Sequence, residues 1–521
     1  MTSQYSKIMS VQTNNKTIAK NTMFLYFRMF VTMIISLFTS RVVLQTLGVD
    51  DFGIYQAVGG IVGLLSFINS ALATGSSRFL TFSMGEGDAQ KLKRVFSTTL
   101  TAHVGLAIII VVLAESVGLW FLFNKMVIPA ERMDAAVYAY HLSIVTAFFS
   151  ITQVPYGACI IAHERMTVYA YVSIVEAVLK LVIVYLLVVG DFDKLKLYAT
   201  LLCAVQVGII LFYRYYCTRR FEEVSLRLSI DKNIFKEVAS FSGWSLFANA
   251  SIALNNQGIL ILLNMFFAPA VVAARSISLQ VNGIANQFVS NFQTAANPQI
   301  VKMYAAGDYE GSKHLLIQTT KVSYYMMLIL ALPIAITANS LLRFWLGVVP
   351  VYADVFLQLV VIQSLFHVFD VSFYRALYAK GQIRENALIS PTLGFIQFPI
   401  VYFLFKVGAS PISLSWTALI TNVLLGVIIK PILIIKIVGY KWSDIFSIFM
   451  PCFIVTLSSI PVPLLVAQMM KSNCQSDVVA FVVNIIISIV SVALATWFLG
   501  LTESMKKMAK DYLHSMASSL R

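Results

Sequence analysis

Apolar stretches of about twenty residues, separated by short polar links, recur along the whole chain. A helix of that length crosses the roughly 30 Å of bilayer hydrocarbon. The pattern therefore predicts about fourteen transmembrane helices, over 18–46, 52–80, 97–123, 136–160, 168–189, 196–216, 237–266, 268–300, 316–345, 354–378, 387–406, 412–434, 445–468 and 479–500. One of these runs is unlike the others. The eighth carries Arg275, Asn282, Asn286, Ser290, Gln293 and Asn297, all within an arc of roughly 80° at helical spacing. Unsatisfied polar groups in hydrocarbon cost several kcal/mol each, so this stripe must face other helices or a watery cavity. Interhelical hydrogen bonding accounts for the amides as readily as a cavity wall does. Arg275 favours the cavity, because an intramembrane cation marks a functional site by default. Asn21, Arg28, Thr32, Ser36 and Thr39 make a similar stripe on the first span, and Ser242, Ser245, Asn249 and Asn256 one on the seventh.

Composition supports an all-α polytopic membrane protein. Of 521 residues, 59% are hydrophobic and 12% charged, half the charged fraction of a typical soluble domain, and the mean hydropathy is +0.81. The net charge of +14 belongs to topology. Most link Lys and Arg lie on the side of the N-terminus, among them Lys91, Lys93, Arg94, Arg219, Arg220 and Arg227. By the positive-inside rule both termini are expected in the cytoplasm, and anionic lipid headgroups add to the attraction. Nucleic acid is not needed to explain the charge. The five cysteines show no metal-ligand spacing, and no metal site is expected. Met1–Thr17 lacks a signal-peptide pattern, so the first span is expected to be retained.

The chain also repeats. Gly87, Asp88, Lys93 and Thr99 recur 220 positions later as Gly307, Asp308, Lys313 and Thr319. Six spans separate the copies, so the halves enter the membrane in the same direction, an architecture that places a transport site between them. The expected organisation is a tail (1–17), an N-lobe (18–216), a linker (217–236), a C-lobe (237–434), two further spans within 445–500 and a second tail (501–521).

Charged residues in the spans divide by context. Arg214, Arg343, Arg375 and Lys430 lie near span ends, where snorkelling is the simplest reading. Glu176 and Lys180, one turn apart, read as a mutually neutralising pair. Arg41 and Arg78 sit a turn or two from a span end and are candidate cavity residues. Asp370, close after His367, is the candidate ion-coupling carboxylate. Arg28 and Arg275 have no acidic residue one turn away in their own helices. Guanidinium geometry matches phosphate oxygens, so an anionic substrate is expected to meet Arg28, Arg275, Arg41, Arg78, Asn256, Asn282, Asn286 and Gln293.

The segment Leu47-Gly48-Val49-Asp50-Asp51-Phe52-Gly53-Ile54-Tyr55, the Gly-Asp repeat and the span count together resemble polysaccharide-biosynthesis flippases of the Wzx type. Their superfamily includes MATE drug exporters and the lipid II flippase MurJ. The resemblance implies two pseudo-symmetric six-helix, MATE-like lobes plus two C-terminal helices in a bacterial inner membrane. It also implies alternating-access transfer of polyprenyl-diphosphate-linked oligosaccharide, such as an O-antigen or capsule unit, to the outer leaflet. Arginines of the first and eighth helices would meet the diphosphate, which points to Arg28 and Arg275. The implied partners are the lipid-linked glycan, membrane lipids, and the polymerase and glycosyltransferases of the same pathway.

No cofactor is expected. A phosphate-binding Gly-x4-Gly-Lys-Ser/Thr loop is missing, so the expected drive is a proton or sodium gradient, the membrane potential or the substrate gradient. Two alternatives remain. A MATE-type exporter of small molecules would share the fold. A membrane polymerase or ligase would need a larger outer loop than any link here provides.

Overall fold

The computed structural model describes residues 30–506 apart from positions 32, 65, 87, 164, 188–191, 226–227, 383, 474–475 and 504. Among the described residues every regular element is a helix. Nine helices among the described residues are long and apolar enough to cross a membrane, and a bent pair, Met33–Leu47 and Val49–Leu64, would make ten. The other expected spans are helices too: Ser66–Glu86, Met166–Leu186, Lys232–Ala253 with its continuation Ile259–Phe266, and Pro269–Ala305. Met166–Leu186 is largely apolar apart from Glu176 and Lys180, whereas Ser66–Glu86, Lys232–Ala253 and Pro269–Ala305 carry many polar residues.

The chain divides into two compact units, Met1–Ala273 and Ala274–Arg521. In the first, α1 (Met33–Leu47) turns through 115° into α2 (Val49–Leu64). The turn is Gly48, at φ +81°, a left-handed conformation that a Cβ disfavours. Helices α3 (Ser66–Glu86), α4 (Ala89–Leu113), α5 (Met133–Ala162), α6 (Met166–Leu186) and α7 (Lys194–Arg220) follow. Next, α8 (Lys232–Ala253) passes through a π turn (Leu254–Gly258) into α9 (Ile259–Phe266).

This seventh span packs along α2 and α3. Gln257 lies against the small face of Gly60 and Gly63, 3.3 Å from where a Cβ on Gly63 would stand. At Gly53 a Cβ would stand 2.0 Å from the Pro269 carbonyl oxygen, so only glycine admits that approach. Two glycines of the nine-residue motif thus make one tight corner and one close crossing.

The second unit holds α10 (Pro269–Ala305, from Ala274 on), α11 (Tyr309–Ile336), α12 (Ala338–Leu346), α13 (Ala353–Lys380), α14 (Arg384–Lys406) and α15 (Ser413–Val423). A π turn (Leu424–Ile429) joins α15 to α16 (Lys430–Val438), and α17 (Trp442–Ser459), α18 (Pro461–Asn473) and α19 (Asp477–Ala495) complete the chain. Its core stacks Tyr324 on Phe369 at 5.0 Å, with Phe449 edge-on to Phe369 at 4.9 Å. The C-terminal α17 and α19 pack on α11.

The repeat has the same local chemistry in both units. Asp88 caps α4 by accepting from the Gln90 and Lys91 amides, and Asp308 caps α11 by accepting from the Gly311 amide. About three turns later Thr99 and Thr319 each donate to the carbonyl four residues back. A tyrosine serves a π turn in each unit: Tyr140 donates to Ala114 O at 2.7 Å and Tyr325 to Gly500 O at 3.2 Å.

Helix α19 shows that lipid is the solvent. It buries Asn484 and Ser488 and exposes Ile486, Val490 and Leu494, the reverse of a helix in water. The chain is a multi-pass helical membrane protein.

Candidate functional site

In the first unit, α1, α2, α5, α6 and α7 enclose a cavity of about 670 Å³, with Asn69 of α3 and Ile110 of α4 completing its wall. Its lining is unusually polar for the interior of a membrane bundle. Helix α5 contributes Ser143, Thr146 and Ser150 at helical spacing, and α1 contributes Ser36 and Thr39. Ser143 and Thr146 donate to the carbonyls of Ala139 and Leu142, both at 2.9 Å. Their protons are thereby used within the helix, and oxygen lone pairs remain to accept. Thr39 Oγ1 and Asn69 Oδ1 are buried and have no hydrogen-bond partner.

One corner of this cavity holds the only charges among the described residues of its lining. Lys180 Nζ donates to Glu176 Oε1 at 2.6 Å, and Gln206 Nε2 donates to the same oxygen at 2.7 Å. The Glu176–Lys180 pair is the i,i+4 pair that the sequence predicts, but its place on a cavity wall was not foreseen. The signal was the Ser143, Thr146 and Ser150 spacing on the fourth span, which only the packing of five helices turns into a site.

At one end of this unit Arg132 forks between two carboxylates. Its Nε and Nη2 reach Asp51 at 2.7 and 2.6 Å, and Nη1 reaches Asp193 at 2.7 Å. Burial opposes ionisation of Asp193, but the bonds from Arg132 and the Lys196 amide outweigh it and hold that carboxyl below its ordinary 3.8. The cluster ties the start of α2, the turn before α5 and the start of α7 together.

In the second unit the polar stripe of α10 faces α13. Ser278 Oγ donates to Ala353 O at 3.0 Å. Ser364 Oγ donates to Asn282 Oδ1 at 2.6 Å, and Asn286 Nδ2 donates to Ser364 Oγ at 3.1 Å. Gln293 Nε2 donates to Ser372 Oγ at 3.1 Å, while Arg375 donates to the Gln293 carbonyl oxygen. Asn282, Asn286 and Gln293 are therefore interhelical hydrogen-bond groups in this structure.

Arg275 is buried, donating to Ser415 Oγ at 3.2 Å with its guanidinium 5.8 Å from the Phe356 ring centre. Among the described residues it has no carboxylate partner. Asp370 lies 2.7 Å from Lys430 Nζ and 3.7 Å from His367 Nδ1. Lys430, expected to snorkel, is instead buried against Asp370 and 5.5 Å from the Tyr374 ring centre. Arg375, grouped with it, is likewise buried.

In the first unit, Arg41 is exposed on α1, Arg78 lies on α3, and Asn256 is exposed in the π turn after α8. Arg28 lies outside the described residues. Among the described residues no group of His, Cys, Asp and Glu has the geometry of a metal site.

The fold is similar to that of several membrane proteins of known structure. No family model matches the chain. The inward-closed structure of the lipid II flippase MurJ superposes with a TM-score of 0.71 at 12% identity, covering 91% of this chain and 98% of that one. An inward-facing multidrug-resistance MATE transporter gives 0.64 at 15%, covering 80% and 94%. A MOP-superfamily transporter from Pyrococcus furiosus, whose structure is described as having a binding pocket of reversed polarity, gives 0.56 at 14%, covering 82% and 95%. In sequence, the uncharacterized membrane protein EpsK of Bacillus subtilis is 22% identical over 427 residues, 79% of this chain and 81% of that protein.

Proposed function

We propose that this protein is a flippase that carries a polyprenyl-diphosphate-linked oligosaccharide from the cytoplasmic to the outer leaflet of a bacterial inner membrane by alternating access. The observation that carries the reading is the hydroxyl- and amide-lined cavity among lipid-facing helices. Sugars and a diphosphate cross hydrocarbon only if such groups replace their hydration. Extended similarity to MurJ, over 91% of the chain against 80% for the MATE transporter, supports a lipid-linked cargo. Arg275 supports an anionic group on that cargo, since its buried guanidinium is met by a neutral hydroxyl. Arg28 and Arg275 are the proposed diphosphate contacts. A proton or sodium gradient is the proposed drive, with Asp370 as the proposed coupling carboxylate. Both termini are placed in the cytoplasm, and the polymerase and glycosyltransferases that make and use the glycan are the proposed partners.

The test is the leaflet position of lipid-linked glycan in cells lacking the protein, read with an impermeant glycosidase before and after membrane rupture. Accumulation on the inner leaflet, relieved by the wild-type gene and not by Arg275→Met at equal protein level, is the expected result. Normal outer-leaflet delivery without the protein overturns the reading and leaves a small-molecule exporter as the better account.

A further inference from the structure

We propose that the cavity of the first unit is a saccharide subsite selective for uncharged sugar units, with the Glu176–Lys180–Gln206 corner setting that selectivity. The proposal rests on the flippase reading and names the part of the cargo this cavity takes.

Size comes first. About 670 Å³ falls within the ~300–1,000 Å³ of small-molecule pockets and far exceeds what a bare ion occupies. Hydrogen-bonding capacity comes next. Ser143 and Thr146 have used their protons, and Thr39 Oγ1 and Asn69 Oδ1 are buried acceptors without partners. Such a wall calls for a ligand with many O–H and N–H donors, which describes a sugar ring with hydroxyl or acetamido substituents. Tyr55 and Tyr198, edge to face at 5.0 Å, line the same cavity and offer apolar surface to a ring's C–H face.

Charge decides the class. Among the described residues the lining carries one carboxylate and one ammonium, joined at 2.6 Å, and these two charges cancel. A uronic or sialic acid approaching the remaining N–H donors of Lys180 would be repelled by the Glu176 carboxylate beside it. A neutral sugar hydrogen-bonds to the pair without separating it.

Glu176→Gln removes the negative member and leaves Lys180 to receive an anion. The experiment measures binding of two probes of similar size, N,N′-diacetylchitobiose and digalacturonic acid, to the full-length protein in nanodiscs by saturation-transfer NMR. Wild type is expected to bind the neutral probe at least tenfold better than the acidic one. Glu176→Gln is expected to reverse that preference, and Ala147→Trp or Ser150→Phe, which fill the cavity, to abolish both signals. Native size-exclusion profiles confirm that each variant is folded, and two filling variants guard against one failing to fold. Equal binding of both probes by wild type and Glu176→Gln, or binding unaffected by a folded filling variant, overturns the proposal. The outcomes separate from those of the leaflet assay. Wild type that restores glycan export but binds the probes without regard to the cavity sinks the subsite alone. Cavity-dependent sugar binding with export intact in cells lacking the protein sinks the flippase reading alone.

Discussion

Replacing Lys430 with methionine leaves Asp370 facing a hydrocarbon side chain in the interior of the second unit. The pair is tight, at 2.7 Å, and enclosed: the Lys430 side chain is 3% exposed and that of Asp370 16%. Removing one member of a buried ion pair typically costs about 3–5 kcal/mol, because the remaining charge is stranded. Asp370→Asn should be the worse single change, since Lys430 is the more deeply buried member. Asp370 left alone still has His367 at 3.7 Å. Removing both charges, as Asp370→Asn with Lys430→Met, should recover most of the loss, because no ion is then left without its partner. At roughly 2–4 °C per kcal/mol for a unit of this size, each single variant should lose about 10 °C, and the double variant much less. Melting in detergent, followed by fluorescence-detected size exclusion after heating, measures all four proteins. Additivity of the two single effects within about 0.5 kcal/mol would refute the coupling and return Lys430 to a snorkelling role.

Three further outcomes are expected. Gly53→Ala should destabilise the first unit by about 1–3 kcal/mol through overpacking against the Pro269 carbonyl. Gly48→Ala, whose surroundings are open, should cost only the roughly 1–2 kcal/mol of its left-handed backbone; equal losses in melting temperature would contradict the close crossing. Asp193 has a lowered folded pKa, so its contribution to stability is present above its ordinary 3.8 and is lost as pH falls through the lower folded value. Asp193→Asn should therefore melt lower than wild type at neutral pH, the gap closing only below about pH 3.8; a gap already closed at pH 5 would show that Arg132 does not hold this carboxylate. Finally, Asp88→Ala and Asp308→Ala should each lose about 1 kcal/mol of helix capping, and a markedly larger loss at one would mean that the repeated residues do unequal work.

Period and composition carried most of the fold. Apolar length locates the helices, because crossing hydrocarbon leaves little choice of element. The Gly-Asp repeat marks two caps whose bonds are local and so readable from order alone. Contacts between distant segments were less legible. The α10 stripe announced a polar neighbour but not that Ser364, Ser372 and Arg375 would supply it, since amide spacing is the same for a bonded face and a wetted one. Lys430 looked like an end-of-span cation because Asp370 lies sixty positions earlier in the chain. The small face that Gly60 and Gly63 on α2 offer to Gln257 was likewise not legible, because the two segments lie some two hundred positions apart. The cavity was legible only in part: Ser36 and Thr39 of the first-span stripe mark one wall, while the others come from distant segments that only packing brings together.

The π turn between α15 and α16 has a bearing on how this chain can evolve. A π turn accommodates one residue more than an α-helix of the same rise, so it stands as an absorbed insertion. Loss of one residue from Leu424–Ile429 would heal into continuous α-helix of the same rise, and everything beyond would keep its orientation relative to α15. Lys430 is the first residue of the helix that follows, and it would keep its place against Asp370. Single-residue deletions, usually ruinous inside a membrane helix, would here leave the ion pair standing, so related chains one residue shorter at this point should still carry both charges.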